Sequence, residues 1–431
     1  MKTIARRTSW VAIACGLACG SAEPSQPARV VGDLDPSPAN AGLPPSPDSP
    51  TRVPGARAFD PDPFEPGAVD WGSFASGASP TRGEQLDALI SPLLASGSLE
   101  GVSIALVSDG LVETYGYGAV REGGPVPDGR TLFEIGSITK TFTSLLLADL
   151  VRDGRVELDQ PVASLLPEGV SVPELDGRAI TLLDLATHTS GLPRLPADFF
   201  PAEPTSEQLL DPYADYQVED LYAFLSGYTL PVVPGERFEY SNVGSGLLGH
   251  ALSFAAGASF EEAIEQRISA PLGMPDTTLH PSAEQVQRLA VGHDENLAPV
   301  PGWAFTPALE GAGALRSSAE DMGQFIAAEL AASAPAEAGS FSATLLESMA
   351  LTQIPQRATD SEEPIGLAWF FSGPDILLHD GATGGFSSFS LMDRASGVGV
   401  VVLVNTATSV TGSLGVQLYQ LLLGSTPAPA N

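Results

Sequence analysis

Ser137 and Lys140 stand three residues apart in the run Phe133-Glu134-Ile135-Gly136-Ser137-Ile138-Thr139-Lys140-Thr141-Phe142. On a helix that spacing sets both side chains on one face. A desolvated ammonium, or one beside another cation, can become a neutral base, whereas a guanidinium cannot. A serine next to such an amine is an activated nucleophile. Lys140 and Lys2 are the only lysines in 431 residues, and the other eighteen basic residues are arginine. Genome composition accounts for that scarcity but not for the survivor's place beside a serine. A second segment, Tyr240-Ser241-Asn242, offers a phenol that can relay a proton and an amide that both donates and accepts. A third, His379-Asp380-Gly381-Ala382-Thr383-Gly384-Gly385-Phe386, is a glycine-rich stretch that lets backbone approach a ligand closely. Each of the three, taken alone, also suits an ordinary surface helix, a cap or a tight hairpin.

The hydrophobic pattern supplies elements to carry these residues. Helical spacing runs from Glu84 to Ala95, and Val102–Val107 and Leu111–Tyr117 read as a hairpin turning at Asp109-Gly110. Ser137–Asp153 reads as a helix closed by Gly154, with Ser137 at its electropositive start, where free backbone N–H groups favour a developing oxyanion. Leu158 to about Leu272 is mostly helical with long Pro-containing loops, Gly246–Ala255 and Phe260–Ile268 being the clearest helices. A helix over Ala319–Ala331 follows. Strands are expected around Ile365–Phe371, at Ile376–His379 running into a glycine-rich turn, at Ser387–Met392 and at Val398–Val404, before a closing helix at Ser413–Leu423. The fold class is therefore α+β: one antiparallel sheet from N- and C-terminal strands, flanked by the terminal helices, plus a mainly helical insertion. No internal repeat is apparent.

Residues 1–19 read as a signal segment, with Lys2, Arg6 and Arg7 followed by the short apolar stretch Trp10–Ala18. Leu17-Ala18-Cys19-Gly20-Ser21 resembles the end of a bacterial lipoprotein signal, which would lipidate Cys19; plain signal cleavage is the other reading. Residues 20–81 form a linker, since thirteen of the 38 prolines fall between positions 20 and 80 without a sustained apolar period. Residues 82–425 form the globular domain. The expected location is exported, periplasmic or at the cell surface, with a possible membrane tether through Cys19. A formal charge of −32 argues against nucleic-acid binding. Both cysteines lie in the signal segment, so the mature domain has no cysteine chemistry. No His-x-His or His-Glu-x-x-His pattern implies a metal, no cofactor is expected, and no Gly-x-Ser-x-Gly elbow is present.

In order and spacing, the three segments resemble the serine β-lactamase and penicillin-recognising hydrolases, in the branch with class C β-lactamases, D-alanyl-D-alanine carboxypeptidases, D-aminopeptidases and related esterases. Thr181–Pro193, Ala270–Thr278 and Gly311–Ser318 add to the likeness, which covers about residues 84–425. The resemblance implies an α/β sandwich of β-lactamase/transpeptidase type. It implies Ser137 as acyl-accepting nucleophile, Lys140 as proton acceptor, and Tyr240 as the group that protonates the leaving group and helps activate water. Asn242 would bind the substrate amide, the His379-Asp380-Gly381 edge would align the acyl group, and the backbone N–H groups of Ser137 and Ala382 would form the oxyanion hole. The chain departs from the usual Lys-Thr-Gly at His379-Asp380-Gly381, which weakens recognition of a substrate carboxylate. The expected protein is thus an exported, monomeric serine hydrolase acting on a small-molecule or peptide amide or ester. The alternatives are a true class C-like β-lactamase or peptidoglycan carboxypeptidase, and a non-catalytic wall-binding protein. His188, near the active-site mouth in that family, is given a structural role. Asn405 could line the site or begin a turn, His250 and His280 read as packing or surface residues, and Trp303, Trp369 and Phe386 as core or cleft wall.

Overall fold

The computed structural model describes residues 81–333 and 341–424. The signal segment with Cys19, and the linker up to residue 80, lie outside the described residues. Thr81, assigned to the linker from sequence, belongs to the fold. It caps the first helix, α1 (Arg82–Ala95), by accepting from Glu84 N while the Glu84 carboxylate accepts from Thr81 N at 2.8 Å.

One eight-stranded antiparallel sheet organises the chain. Its strands are β1 (Gly101–Ser108), β2 (Leu111–Gly118), β3 (Arg357–Ala358), β4 (Pro364–Ile365), β5 (Phe370–Ser372), β6 (Ile376–Ala382), β7 (Ser387–Asp393) and β8 (Val398–Val404). Their spatial order is β2-β1-β8-β7-β6-β5-β4-β3, so the first hairpin closes against the last strand. Strand β8 is central and buried along its whole length, which accounts for its unbroken apolar run.

Alternation along the strands divides the core in two. Ile104, Leu106, Val400 and Val402 face α1, through Leu86, Leu89 and Ile90, and a C-terminal helix (Val410–Leu422) through Leu414 and Leu418. Ala105, Val107, Val401 and Leu403 face the larger core, where Phe142 stacks on Phe325 at 4.2 Å. Helices α2 (Thr139–Arg152) and α4 (Ala319–Ser333) supply those two rings, and α3 (Asn242–Ala256) packs on α2. No helix among the described residues is long and apolar enough to cross a membrane.

Two strand expectations and one helix expectation change. Ile365–Phe371 is not one strand but the pair β4 and β5, with Ile365 opposite Phe370 and a turn through Ala368 at φ +66°. Strand β6 continues past His379 to Ala382, so the third motif lies in the ladder and the turn begins only at Thr383. Residues 260–268 leave α-helical geometry after Ile264 for a wider turn at Glu265–Ser269. A small ladder, Leu132–Glu134 against Arg316–Ser318, carries no periodicity long enough to read; the Arg316–Glu134 ion pair at 2.9 Å ties it together.

Candidate active site

Ser137 sits in a single 3-10 turn, Gly136–Ile138, that leads into α2. Gly136 has φ +49°, and a methyl built on it would meet Ala382 N at 2.7 Å. A methyl on Gly381 would lie 2.1 Å from Ile135 O and 2.9 Å from Ser137 N. Only glycine permits this approach of the turn to the β6 edge, and the result is that the N–H groups of Ser137 and Ala382 border one small space. Ser388 on the neighbouring strand donates to Ile135 O at 2.8 Å and fixes the turn from below.

Lys140, the second residue of α2, is 1 % exposed. Its Nζ lies 3.0 Å from Ser137 Oγ, 2.9 Å from Asn242 Oδ1 and 2.7 Å from Ala312 O. The two amide oxygens can only accept. A neutral amine, with two N–H groups and one lone pair, therefore donates to both and keeps its lone pair for the Ser137 hydroxyl proton. Burial, and then the nearby Arg194 guanidinium, hold the Lys140 pKa well below that of an ordinary lysine, with Asp380 opposing. Thr143, which donates to Gly311 O at 2.8 Å, binds α2 to the segment that presents Ala312 O.

The second motif is knitted to the loop around His188. Ser241 caps α3, accepting from Gly244 N at 2.8 Å and donating to Pro193 O at 2.7 Å. Asn242 is the first residue of α3, earlier than the helical pattern alone indicates, and its N–H donates to Arg194 O at 2.9 Å. Its side chain donates onward from Nδ2 to Tyr213 Oη at 2.9 Å. Ser241 N donates to His188 Nδ1 at 3.2 Å, so His188 is buried, neutral and held under the Tyr240 ring at 4.3 Å. Burial and then Lys140 depress its pKa far below the usual imidazole value. Tyr240 is buried, with Lys140 Nζ 4.9 Å from its ring centroid. Its hydroxyl interacts with Ser137, which favours ionisation, yet no atom among the described residues meets it at hydrogen-bonding distance and angle. Burial dominates and pushes the phenol above its ordinary pKa, so Tyr240 is neutral at physiological pH.

The third motif divides differently from the sequence expectation. His379 was assigned to substrate binding, but it is fully buried and does not line the cleft. Its Nδ1 donates to Asp380 O at 2.6 Å, and burial followed by Lys140 lowers its pKa to about 3, so it is a neutral ring packed near Phe370. Alternation along β6 instead turns Asp380 to the cleft. Burial, opposed by its own backbone N–H, Lys140 and Arg194, lifts the Asp380 carboxyl to about 7.

The cleft, of about 300 Å³, is lined by Ser137, Asn242, Asp380, Gly381 and Ala382. Its far wall is aromatic: Trp303, read from sequence as core or cleft wall, belongs to it, whereas Phe199, Tyr213 and Phe305 carried no such signal. Tyr213 stacks on Phe305 at 4.4 Å and meets Phe199 at 5.1 Å and Trp303 at 5.2 Å. Trp303 Nε1 donates to Leu210 O at 2.9 Å, which binds the long Pro-rich loop across the cleft. Arg194 also lines it and follows directly on the Thr181–Pro193 segment noted in the sequence, the one available signal for it.

The remaining candidates are structural. Asn405 Nδ2 donates to Ala119 O, Val120 O and Val291 O, locking three segments together away from the cleft. His250 bonds the Tyr222 hydroxyl at 2.7 Å, and His280 pairs with Glu261 on the surface. Trp369 and Phe386 are buried core. No cluster of metal-ligating side chains occurs among the described residues.

The Beta-lactamase family model matches residues 86–422. The chain is 30 % identical over 298 residues to the D-alanyl-D-alanine-carboxypeptidase/endopeptidase AmpH of Escherichia coli K12, covering 67 % of this chain and 74 % of that one. Among solved structures it is similar to an octameric penicillin-binding protein homologue from Pyrococcus abyssi, with a TM-score of 0.68, 26 % identity, and 80 % and 78 % of the two chains covered. It is also similar to a β-lactamase/D-alanine carboxypeptidase from Yersinia pestis, with a TM-score of 0.62, 27 % identity, and 80 % and 99 % covered.

Proposed function

Since the chain belongs to the Beta-lactamase family of serine hydrolases, we propose that it cleaves amide or ester bonds through an acyl-enzyme on Ser137. The observation that carries this reading is the buried Lys140 amine, 3.0 Å from Ser137 Oγ with both its N–H groups already bound to amide oxygens. In the first step the Ser137 Oγ–carbon bond forms as the Ser137 proton passes to Lys140 Nζ. The substrate oxygen takes the negative charge between the N–H groups of Ser137 and Ala382. That intermediate collapses with loss of the leaving nitrogen or oxygen, which receives a proton by way of Tyr240. Water then attacks the acyl carbon, its proton returning by the same route, and Ser137 is restored. Because Tyr240 is neutral and Lys140 has a depressed pKa, Lys140 is the base and Tyr240 the relay.

A buried neutral His379 in place of a fixed ammonium favours general acyl hydrolysis over efficient β-lactam turnover. The carboxypeptidase name borne by the AmpH relative supports a D-alanyl peptide as the second reading. Export, with residues 1–19 as signal, 20–80 as tether and Cys19 as lipidation site, belongs to the same proposal. Metabolic labelling with a palmitate analogue, lost in Cys19→Ser, tests the tether.

Covalent labelling with a fluorophosphonate and a fluorescent penicillin, on wild type and Ser137→Ala, tests the enzymatic reading. A Ser137-dependent adduct is expected with at least the fluorophosphonate. Equal labelling of both proteins, or none of either, rejects the acyl-enzyme.

A further inference from the structure

We propose that Arg194 is a positioning residue of the proton relay: a fixed positive charge laid over the Tyr240 ring that holds the Lys140 amine in its base form. This rests on the acyl-enzyme reading above and adds to it the residue that sets the protonation of the base.

Two charged side chains line the cleft, Arg194 and Asp380. The guanidinium carbon of Arg194 lies 5.1 Å from the centroid of the Tyr240 ring, and Lys140 Nζ lies 4.9 Å from the same centroid. Amine and guanidinium therefore share one phenol as neighbour, and full positive charge on both is repulsive in so buried a space. A guanidinium cannot give up its proton, so the amine is the partner that yields. Among the described residues Arg194 has no ion-pair partner, and its charge is not cancelled at close range.

The placement is built into the fold. Arg194 O accepts from Asn242 N at 2.9 Å and from Val243 N at 3.3 Å at the start of α3. Asn242 Oδ1 in turn accepts from Lys140 Nζ at 2.9 Å. One residue thus ties the backbone of the cation to the head of the base, while stacking on the phenol ring orients the guanidinium.

The remaining titratable groups around Lys140 supply little charge. His188, from the loop before Arg194, and His379, from β6, are buried neutral rings. Tyr240 and Tyr213 are phenols that burial keeps protonated. Asp380 on β6 is the acidic group facing the amine, and burial lifts its carboxyl to about 7, so below that pH it offsets little of the guanidinium's field. The same field acts on Tyr240 in the sense a relay needs, favouring negative charge on its oxygen as a proton passes.

The test reads Lys140 directly. Lys2 and Lys140 are the only lysines, so the full chain labelled with ¹³C at lysine Cε gives two NMR signals, and Lys140→Arg assigns them. In Arg194→Gln and Arg194→Met the titration midpoint of Lys140 is expected to rise by about one pH unit, the effect of removing one like charge at this range. Neutral base is then scarcer at a given pH, so the acid limb of fluorophosphonate labelling at Ser137 should move alkaline by the same amount. Arg194→Lys keeps the charge and should restore the limb. The reagent carries no carboxylate, so the limb reads the base and not a contact between Arg194 and substrate. Asp380 titrates in the same range and also feels Arg194, so the comparison is repeated in Asp380→Asn, where the shift should persist. A midpoint unmoved in both neutral variants, an Arg194→Lys limb matching theirs, or a limb shift that vanishes in Asp380→Asn would overturn the assignment. Labelling that does not depend on Ser137 would instead reject the acyl-enzyme, while the Lys140 midpoint would still report on Arg194.

Discussion

Asn242 Oδ1 accepts a hydrogen bond from Lys140 Nζ at 2.9 Å, so the side chain assigned to substrate also orients the base. Its other end is fixed by Tyr213, which prevents the amide from turning over. A carboxylate there would pair with Lys140 and stabilise the ammonium. In Asn242→Asp the Lys140 pKa rises, so the neutral base appears only at higher pH. The acid limb of the pH profile of kcat/KM should move alkaline by more than one unit, with activity at pH 7 down at least tenfold; an unmoved limb would show that Lys140 does not set it.

Lys140→Arg preserves charge and nearly preserves reach but supplies no removable proton. Acylation by a fluorophosphonate should slow by about 10²- to 10⁴-fold, the range for loss of a general base. Intact-protein mass spectrometry over time gives the rate, and a near-normal value would remove Lys140 from the chemistry.

Gly381→Ala places a methyl 2.1 Å from Ile135 O and 2.9 Å from Ser137 N. The turn must move away from β6, separating the two N–H groups that face the oxyanion. A fall in kcat of about 10²- to 10³-fold is expected. Circular dichroism alongside the kinetics distinguishes this from loss of fold.

Glu329 on α4 is fully buried, accepts from Gln353 Nε2 at 2.7 Å, and has its pKa raised by burial to about 8. The unfolded chain loses this proton near 4.5 while the folded chain keeps it, so stability falls as pH rises from about 4.5 to about 8 and then levels. Glu329→Gln removes that decline. The melting temperature of the variant relative to wild type should climb across this window, as read by thermal denaturation at unit pH steps.

Legibility in the sequence followed the range of the physics. Strand β8 and helix α2 were readable because each carries a long apolar pattern set by its own burial. Tyr240 and Asn242 were found as a short motif, though the helix start at Asn242 was hidden because Val243 and Gly244 have no helical signature of their own and a lone capping serine such as Ser241 reads equally as a turn residue. His379 was misplaced because strand alternation through a glycine-rich stretch is invisible until β6 is known to continue to Ala382. Tyr213, Trp303 and Phe305 come from two loops about ninety residues apart, and only tertiary hydrogen bonds such as Trp303 Nε1 to Leu210 O bring them to one wall.

The three acceptors around Lys140 have a consequence for the reaction coordinate. An ammonium needs three partners where the amine needs two and a proton to receive, and Ser137 Oγ, Asn242 Oδ1 and Ala312 O already occupy those three directions. When the proton crosses, only the sense of the Ser137 bond reverses. The new charge arrives in a fully solvating shell without displacement of a heavy atom. Under the proposed chemistry, this corner of the cleft is therefore organised equally for both sides of the proton transfer, and little of the barrier is spent rearranging it.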